Sequence, residues 1–451
     1  SMGTMNVQKK AWWHLSLTTQ ILLGLVIGGV FGWLFPHYAV EISWMRDVFL
    51  NMIKSIIAPL VFSTIVVGIA GGGELKAIGR LGGKSILYFE IVTTIALFVG
   101  LLVVNITQPG AGIVLNAATD TGAIAKIGES HPKTLIETIV HIFPSSLIES
   151  MARGDVLQIV AFSVLFGMAV SAVGEKGKPI LKWCESLSQV MFKFTGYVMN
   201  VAPLGVGAAM AATIGHQGLD VLRNLGMLIG SLYIALLLFV VFVLGAVAII
   251  ARVPLRKFLH AVREPFTIAF VTTSSESALP KAMEVMHRLG VPRHIVGFVM
   301  PTGYSFNLDG TTLYLAMASV FVMQAVESTI PGFHFGIGQQ IGMMIALMIT
   351  SKGVAAVPRA SLVILLATLS SFLPPEHSAF GAIGVAIIFG VDELMDMART
   401  SVNLLGNCLA CVVMARWEGV FDDDRAALFG TPEEHHLETA VGEPAFAEAD
   451  D

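Results

Sequence analysis

Five polar or charged residues in the last apolar stretch of the sequence recur at the spacing of one helical face. They are Asp392, Asp396, Arg399, Asn403 and Asn407, and an α-helix turns about 100° per residue, so all five point the same way. At bilayer depth such groups must face protein or a water-filled cavity. Arginine binds a carboxylate through two parallel hydrogen bonds, and an aspartate one turn away can bind an ammonium group. The stripe predicts a binding site for a small charged molecule, with purely structural ion pairs as the alternative.

The composition predicts that this stripe belongs to a membrane protein. Of the 451 residues, 55% are hydrophobic and only 13% are charged. Apolar runs of about 18 residues or more recur along the chain, which is typical of a polytopic all-α membrane protein. The net charge is −5 and no domain is basic, which excludes a nucleic-acid-binding protein. The three cysteines form neither a disulfide framework nor a zinc-binding spacing, so we expect no metal and no cofactor.

Six membrane spans are predicted in the N-terminal region, residues 17–251. A basic, tryptophan-containing segment at 1–16 is expected to lie in the cytoplasm. Apolar runs then predict spans at 17–35, 49–70, 85–106, 157–173, 180–214 and 222–250. The stretch 108–154 is rich in Gly, Thr, Pro and Ser, which predicts an external excursion between the third and fourth spans.

Polar breaks interrupt the apolar runs of the C-terminal region, residues 252–418. A serine-rich motif ends one run at 274–277, and two further runs are broken at 301–310 and 350–359. Non-helical backbone at membrane depth is tolerated only where protein or a cavity surrounds it. The last segment, 419–451, is acidic with few aliphatic residues, and we expect it to be disordered.

The positions of lysine and arginine predict the orientation of these elements. Most of the 27 basic residues lie in segments that we place in the cytoplasm, together with both termini. Basic segments flank the break at 274–277 on both sides, so this hairpin should enter from the cytoplasm. The segments 327–338 and 374–380 contain no Lys or Arg, so the hairpin near Gly353 should enter from outside. Two re-entrant hairpins of opposite topology predict inverted repeats, which mark a transporter site.

Four motifs, taken in order, resemble those of the dicarboxylate/amino acid:cation symporter family over residues 15–418. They are Ser274–Ser277, Asn307–Thr311, Ser351–Pro358 and Asp396–Asn407. The resemblance implies eight transmembrane helices plus two re-entrant helical hairpins, assembled as a homotrimer in the lipid of the inner membrane. Spans one, two, four and five would form the scaffold. Spans three and six would join the C-terminal region in a transport domain that moves like an elevator.

The resemblance also assigns roles to individual residues. Arg399 would bind the side-chain carboxylate of L-glutamate or L-aspartate, and Asp396 would bind the α-amino group. Further substrate contacts would come from Thr400, Asn403 and Thr311, and from the hairpin tips at Thr273, Ser274, Ser275, Val357 and Ser361. Backbone N–H and C=O groups at such tips can close over a polar ligand. Capping of a helix by the serine hydroxyls is the alternative explanation for the first tip.

The identity of the coupling ion follows from departures from the sodium-coupled pattern of this family. Leu308 stands in place of a methionine, and Asn407 stands in place of an aspartate. Phe89 and Val92 stand in place of oxygen-bearing residues in span three. Sodium prefers several hard oxygen ligands, so these replacements weaken the case for sodium.

Two carboxylates, Glu90 and Glu276, appear instead, as in the bacterial proton/glutamate symporters that the chain resembles. A buried carboxyl group with a raised pKa can carry a proton, so we expect proton coupling through these residues. The alternatives are a structural hydrogen bond for Glu90 and a solvated position for Glu276. Sodium remains the second candidate, with ligands at Gly303, Asn307, Asp309, Asn403 and Asn407.

Two other functions compete with acidic amino-acid transport. A C4-dicarboxylate carrier of the same family is disfavoured because its substrate has no amine to pair with Asp396. An intramembrane aspartyl protease is disfavoured because Asp392 and Asp396 share one helix with Arg399, whereas a catalytic dyad brings carboxylates from different helices. We therefore expect a transporter and not an enzyme.

Overall fold

The computed structural model describes residues 15, 17–71, 75–115, 135–154, 156–217, 225–351, 360–389, 392–434 and 436, and their regular structure is helical throughout. The helices of the N-terminal region are α1 (Leu17–Leu34), α2 (Pro36–Glu41), α3 (Ser43–Ala70), α4 (Leu75–Thr107), α5 (Leu135–Ile142), α6 (Leu147–Arg153), α7 (Val156–Val173), α8 (Lys178–Met199), α9 (Ala202–Gln217), α10 (Gly226–Leu238) and α11 (Gly245–Ile250). Those of the C-terminal region are α12 (Leu255–Thr272), α13 (Ser275–Leu289), α14 (Arg293–Phe306), α15 (Asp309–Thr329), α16 (Ile337–Thr350), α17 (Ala360–Phe372), α18 (Ser378–Phe389), α19 (Asp392–Trp417) and α20 (Asp423–Leu428). A π-helical turn at Phe239–Leu244 joins α10 to α11.

Several of these helices have the length and composition of membrane spans. Among the described residues, the long apolar stretches are Ile78–Thr107, Gln158–Val198, Gly226–Ile250, Arg293–Thr329 and Leu394–Trp417. Shorter apolar helices occur at Thr19–Leu34, Ala58–Ala70, Ala202–Ala212 and Ile337–Met348. A spanning helix needs about 20 mostly apolar residues. The predicted all-α, multi-pass membrane protein is thus confirmed at this level.

The predicted span at 180–214 is wrong in one respect, because the structure divides it into two helices. α8 ends at Met199 and α9 begins at Ala202, with Pro203 in its first turn. Proline is tolerated in a first helical turn but cannot continue a preceding helix. α9 packs so closely against α1 that a methyl group on Gly28 would overlap the carbonyl of Gly207. Small residues commonly permit such close packing between membrane helices.

The most deeply buried helices belong to the C-terminal region. In α15 every residue from Thr312 to Val326 is buried, and in α19 so is every residue from Met397 to Val412. α4 packs along α15, and α10 contacts both α4 and α19. Two N-terminal helices therefore line this core. The N-terminal helices also expose large apolar side chains, at positions such as Ile27, Ile136, Leu237 and Ile250.

One predicted break in the C-terminal helices, at 301–310, is confirmed, whereas most of the other, at 350–359, lies outside the described residues. α14 ends at Phe306 and α15 begins at Asp309, which leaves Asn307 and Leu308 non-helical between them. α16 and α17 pack against each other, and the residues that connect them, 352–359, lie outside the described part of the chain. α18 ends at Phe389 and α19 begins at Asp392, and the two residues between them lie outside the described part of the chain.

A tight turn at Thr273 and Ser274 joins α12 to α13. Thr273 has a φ of 54°, a left-handed conformation that few residues other than glycine adopt. Such strain is concentrated at ligand-binding and active sites. The Ser274 hydroxyl caps α13 by accepting a hydrogen bond of 3.3 Å from the Ser277 N–H. Capping thus accounts for Ser274.

The prediction of a disordered tail is wrong for its first part. Residues 419–434 contain α20 and bury the side chains of Phe421, Ala426, Phe429 and Glu434. Asp422 caps α20 by accepting a 3.0 Å hydrogen bond from the Arg425 N–H. The segment is acidic on average, and this average does not reflect Phe421, Phe429 and the Asp422 cap. Their burial and hydrogen bonding hold the first part of the tail in an ordered structure. Residues 437–451 lie outside the described part of the chain.

We expect Gly310→Ala to destabilise the protein. Gly310 lies in the first turn of α15, where a methyl group would overlap the backbone carbonyl of Arg399 on α19. Overpacking of this kind costs about 1–3 kcal/mol. The midpoint of thermal unfolding in detergent should therefore fall.

Gly79→Ala is the matched control for this substitution. No atom lies near the position that a Cβ would occupy on Gly79, which is in α4. Alanine is favoured over glycine in a helix by about 1 kcal/mol, so the midpoint should stay level or rise. A wild-type midpoint for Gly310→Ala would contradict the close packing of α15 on α19.

Candidate functional site

Arg399 lies at the centre of the polar stripe and is paired with Asp392, two turns earlier on α19. Its Nη1 is 2.7 Å from Asp392 Oδ1, and its Nη2 is 3.2 Å from Asp392 Oδ2. Paired hydrogen bonds of this kind are the strongest contact that arginine makes with a carboxylate. Both side chains are only 4% exposed. Removing either charge would break this buried pair, which is energetically costly.

Two other helices also hold the guanidinium group of Arg399. The Tyr314 ring, on α15, has its centroid 4.1 Å from Arg399 Cζ, and its hydroxyl donates a 3.0 Å hydrogen bond to Asp392 Oδ1. A cation over an aromatic face is stabilised electrostatically by the ring. Ser361, on α17, accepts a 3.4 Å hydrogen bond from Arg399 Nη2. The arginine therefore connects three helices at one point.

Asp396 is the more accessible of the two aspartates. Its side chain is 31% exposed, compared with 4% for Asp392. Its Oδ1 lies 3.3 Å from Arg399 Nε and accepts a 2.7 Å hydrogen bond from the Thr400 hydroxyl. An accessible carboxylate beside a buried guanidinium offers opposite charges on adjacent helical turns. This arrangement can bind a molecule that carries both an ammonium group and a carboxylate.

A reciprocal pair of hydrogen bonds joins Asn403 to Thr311, one turn beyond Arg399. Asn403 Nδ2 donates to the Thr311 hydroxyl at 2.9 Å, and the Thr311 N–H donates to Asn403 Oδ1 at 3.0 Å. The pair fixes the first turn of α15 against α19. In this structure, both polar atoms of the Asn403 side chain are engaged with Thr311.

A second polar cluster surrounds the break between α14 and α15. Asn307 and Asp309 are completely buried, and Asn407 is 3% exposed. A Cβ on Gly303 would overlap Asn407 Oδ1, and a Cβ on Gly406 would overlap Asp309 Oδ2. The two glycines therefore allow amide and carboxylate oxygens from α14, α15 and α19 to approach one another.

Some atoms of this second cluster form no hydrogen bond with any described residue. They are the side-chain oxygen and nitrogen of Asn307, Oδ1 of Asn407 and the hydroxyl of Tyr88. Tyr88 also lies near Asp309. An unsatisfied buried polar group costs about 1–3 kcal/mol. Hard oxygen atoms of this type suit a small cation or an ordered water molecule.

Glu90 and Glu276 are the two residues expected to carry a proton, and the structure describes the side chain of Glu90 alone. Glu90 is partly buried on α4 and follows Phe89, whose ring is 3.5 Å from the position of a Cβ on Gly303. Glu90 is thus adjacent in sequence to a residue that lines the second cluster. Glu276 lies in the first turn of α13, and its side chain is outside the described part of the structure.

The structure describes all but one of the residues predicted to contact the substrate from the hairpin tips. Ser361 lies beside Arg399 as stated above, whereas Val357 lies outside the described residues. Thr273, Ser274 and Ser275 form the turn between α12 and α13, and both of these helices pack against α19. The turn therefore belongs to the same packed unit as the polar stripe.

Tyr314 was missed by the sequence analysis, and Asp392 was given no role beyond its place in the stripe. A signal for Tyr314 was available, because it lies three residues after Thr311 and hence on the same face of a helix. Asp392 lies seven residues before Arg399, which places the two on one face, two turns apart. The spacing alone did not predict that they pair with each other.

Comparison with known families gives one match that spans almost the whole chain. The family described as the sodium:dicarboxylate symporter family matches residues 17–417. The match includes every residue of the polar stripe and both sides of the break at Asn307 and Leu308.

Individual relatives carry two kinds of name. A proton/sodium-glutamate symport protein of Bacillus caldotenax is 41% identical over 91% of this chain and 96% of its own length. The protein of the same name in Bacillus subtilis is 43% identical over 91% of this chain and 94% of its own length. A C4-dicarboxylate transport protein of Bacillus subtilis is 41% identical over 91% of this chain and 96% of its own length. These identities are too similar to discriminate between the two names.

The geometry of the arginine cluster predicts different costs for its two aspartates. Asp392→Asn removes the buried carboxylate that binds Arg399 through two hydrogen bonds, and it should destabilise the protein by about 3–5 kcal/mol. Asp396→Asn weakens a more exposed ion pair with Arg399, which is worth about 1 kcal/mol or less. Thermal unfolding of both variants in detergent measures this difference. Equal midpoints, or a lower midpoint for Asp396→Asn, would contradict the described pairing.

Proposed function

The chain belongs to the sodium:dicarboxylate symporter family, and on this premise we propose that it carries an acidic amino acid, L-glutamate or L-aspartate. It is a cation-coupled transporter and not an enzyme, as the family description and the names of its relatives indicate. The choice of substrate within the family depends on the site. Some relatives are named for glutamate and others for C4-dicarboxylates at nearly equal identity, so sequence identity alone does not decide it.

The accessible Asp396 beside Arg399 is the observation that carries this proposal. The two groups lie 3.3 Å apart on adjacent turns of α19. An acidic amino acid brings an ammonium group for Asp396 and a carboxylate for Arg399. A C4-dicarboxylate would bring a second negative charge towards Asp396 without an amine to neutralise it. The second carboxylate of such a ligand and the Asp396 carboxylate would repel each other strongly in a poorly solvated site.

The proposed binding mode makes use of the pair between Arg399 and Asp392. Arginine carries five N–H donors, and Asp392, Ser361 and Asp396 face several of them in this structure. The incoming carboxylate would accept hydrogen bonds from the Arg399 N–H groups that now face Ser361 and Asp396. The Tyr314 ring would keep the guanidinium group in place during the exchange.

The rest of the substrate would lie against polar groups from both halves of the site. Thr400 and the Thr311–Asn403 pair would form its floor, and the backbone of the turn at Thr273, Ser274 and Ser275 would close over it from one side. The connection between α16 and α17, with Val357 and Ser361, would close over it from the other side. The left-handed Thr273 supports this assignment, because such backbone strain is concentrated at ligand-binding turns.

Proton coupling is the proposed mode of energy input. Glu90 supports it, because a titratable group that is partly buried on α4 lies next to Phe89, which lines the second polar cluster. Glu276, at the start of α13, is the second proposed carrier.

Sodium coupling is the second candidate, and the second polar cluster specifically favours it. An Asn407 amide oxygen lies against Gly303, and an Asp309 carboxylate oxygen and the Asn307 amide nitrogen lie against Gly406. The Asn407 oxygen and the Asn307 amide form no hydrogen bond with described residues. A sodium ion at this point would satisfy the two amide oxygens, as would a proton carried by a nearby carboxylate, whereas the Asn307 N–H groups need an acceptor.

The remaining features of the proposal concern architecture. We propose eight transmembrane helices and two re-entrant hairpins, in a homotrimer of the inner membrane with both termini in the cytoplasm. Helices α4 and α10 would move with the C-terminal region as a transport domain in an elevator motion. Their contacts with α15 and α19 support this grouping.

The proposed pairing of Asp396 with the substrate amine predicts a selective loss of affinity. Asp396→Asn should weaken the binding of L-aspartate and L-glutamate by about tenfold or more, because a hydrogen bond to a charged group is worth about 1.5–3 kcal/mol. Succinate, which lacks the amine, should bind the variant at least as well as it binds the wild type. Calorimetric titration of purified protein with the three ligands measures both effects.

Asp424→Asn is the matched control, because Asp424 is exposed on α20, far along the chain from the stripe. It should bind all three ligands like the wild type. If the wild type prefers succinate to both amino acids, the chain is a C4-dicarboxylate carrier and the proposal is wrong.

Proton coupling predicts uptake without sodium. In liposomes with choline replacing sodium on both sides, acidifying the outside by one pH unit supplies about 1.4 kcal/mol per proton. This is enough for up to about tenfold accumulation of L-glutamate when one proton is transported with each substrate. Glu90→Gln should lose this accumulation and keep the exchange of internal for external glutamate.

Glu149→Gln is the control, because Glu149 is an exposed residue of α6. It should accumulate glutamate like the wild type. Accumulation that appears only when sodium is restored would contradict proton coupling and support the second candidate.

A further inference from the structure

The chain does not leave the helical core where α19 ends. Glu418, the next residue, has a side chain that is only 9% exposed and forms ion pairs with Arg80 at 2.9 Å and Lys84 at 3.0 Å. Hydrogen bonding by Arg80 and the charge of Lys84 lower the pKa of the Glu418 carboxyl group. The end of α19 is thereby attached to the beginning of α4.

Arg416, in the last turn of α19, joins three segments. It donates hydrogen bonds to the carbonyls of Ala251 and Arg252, which follow α11, at 3.1 and 2.7 Å. It also binds both carboxylate oxygens of Asp423, in the first turn of α20, at 2.6 Å each. Carbonyls at a helix end lack partners within the helix, and Arg416 satisfies two of them here.

The segment after α19 then lies against α12 and α13. The Asp422 N–H donates a 3.0 Å hydrogen bond to the carbonyl of Gly290, directly after α13. The Phe429 ring is buried between Arg288, whose Cζ lies 5.0 Å from the ring centroid, and His260, whose ring meets it edge-on. Lys257, on α12, donates a 2.7 Å hydrogen bond to the Phe429 carbonyl.

A buried ion pair fixes the far end of the segment. Arg288 Nε and Nη2 lie 3.0 and 3.2 Å from the two carboxylate oxygens of Glu434, and both side chains are 6% exposed. Glu434 also accepts a 2.8 Å hydrogen bond from the Gly430 N–H. A paired arginine and carboxylate in this geometry impose a definite orientation as well as a favourable energy.

We propose that residues 416–434, here called the C-terminal clasp, set the axial position of α19 relative to α12 and α13 and so position the binding residues. This inference rests on the proposed function of the site. Arg416 and Arg399 lie on the same uninterrupted helix, so a rigid rod about 25 Å long connects the clasp to the site. The clasp holds one end of that rod against the helices whose turn would close over the substrate.

The dimensions of the site explain why axial position matters. A slip of α19 by one turn displaces it by about 5.4 Å. Such a shift would separate Arg399 from the Tyr314 ring and Asn403 from Thr311, which now lie 4.1 and 2.9 Å apart. A binding site that is misplaced by about 1 Å already loses much of its effectiveness.

The experiment compares pairs of neighbouring acidic residues. Glu434→Gln breaks the buried pair with Arg288, while Glu433→Gln changes an exposed neighbour. Asp423→Asn removes the carboxylate from Arg416, while Asp424→Asn is its exposed control. The two readouts are the affinity for L-aspartate and amide hydrogen exchange across 255–289, both measured on full-length protein in detergent.

The clasp predicts that Glu434→Gln weakens L-aspartate binding by about threefold or more and speeds exchange in α12 and α13. Asp423→Asn, at a more exposed pair, should act in the same direction and less strongly, and it keeps the test valid if Glu434→Gln fails to fold. Both controls should match the wild type. Wild-type affinity in folded Glu434→Gln, or equal effects in the controls, would overturn the clasp. Failure of the wild type to bind L-aspartate would instead overturn the proposed function.

Discussion

A buried guanidinium group constrains the whole C-terminal region. Arg399 lies at membrane depth, where an uncompensated charge costs several kcal/mol. Its carboxylate partner Asp392, the Tyr314 ring and Ser361 come from three helices, so α15, α17 and α19 must meet at this point. The same requirement explains the tight packing of Gly310 against the Arg399 carbonyl, since a larger residue would keep α15 away. Structural pairing and the proposed ligand binding would therefore use the same charge.

The break between α14 and α15 meets a second constraint. Backbone that leaves the helical conformation inside a membrane needs polar partners. Asn307 and Asp309 stand at the break, and Asn407 reaches it from α19, where Gly303 and Gly406 leave room for their oxygens. The two polar clusters share α15 and α19, with the Thr311–Asn403 pair between them. A cation in one cluster and a substrate in the other would therefore influence each other through the same two helices.

Much of the fold could be predicted from the sequence because apolar length and polar spacing are local signals. Helix breaks at 307–308 and after Thr272 follow from proline, serine and asparagine within apolar runs. The division of 180–214 depended on Pro203, which the apolar average concealed. The clasp was missed because acidic composition suggested disorder, whereas its order depends on distant partners such as Arg288 and Lys257. Likewise, the partner of Arg399 within the stripe is a tertiary property that spacing alone does not determine.

The central claim is that Arg399 and Asp396 together bind an amino acid with an acidic side chain. A structure of the protein solved with L-aspartate tests it most directly. The account predicts the side-chain carboxylate within hydrogen-bonding distance of the Arg399 guanidinium and the ammonium group within hydrogen-bonding distance of Asp396. A ligand bound elsewhere, or an Arg399 that still contacts only Asp392, Asp396 and Ser361 while the ligand's ammonium group lies away from Asp396, would contradict it.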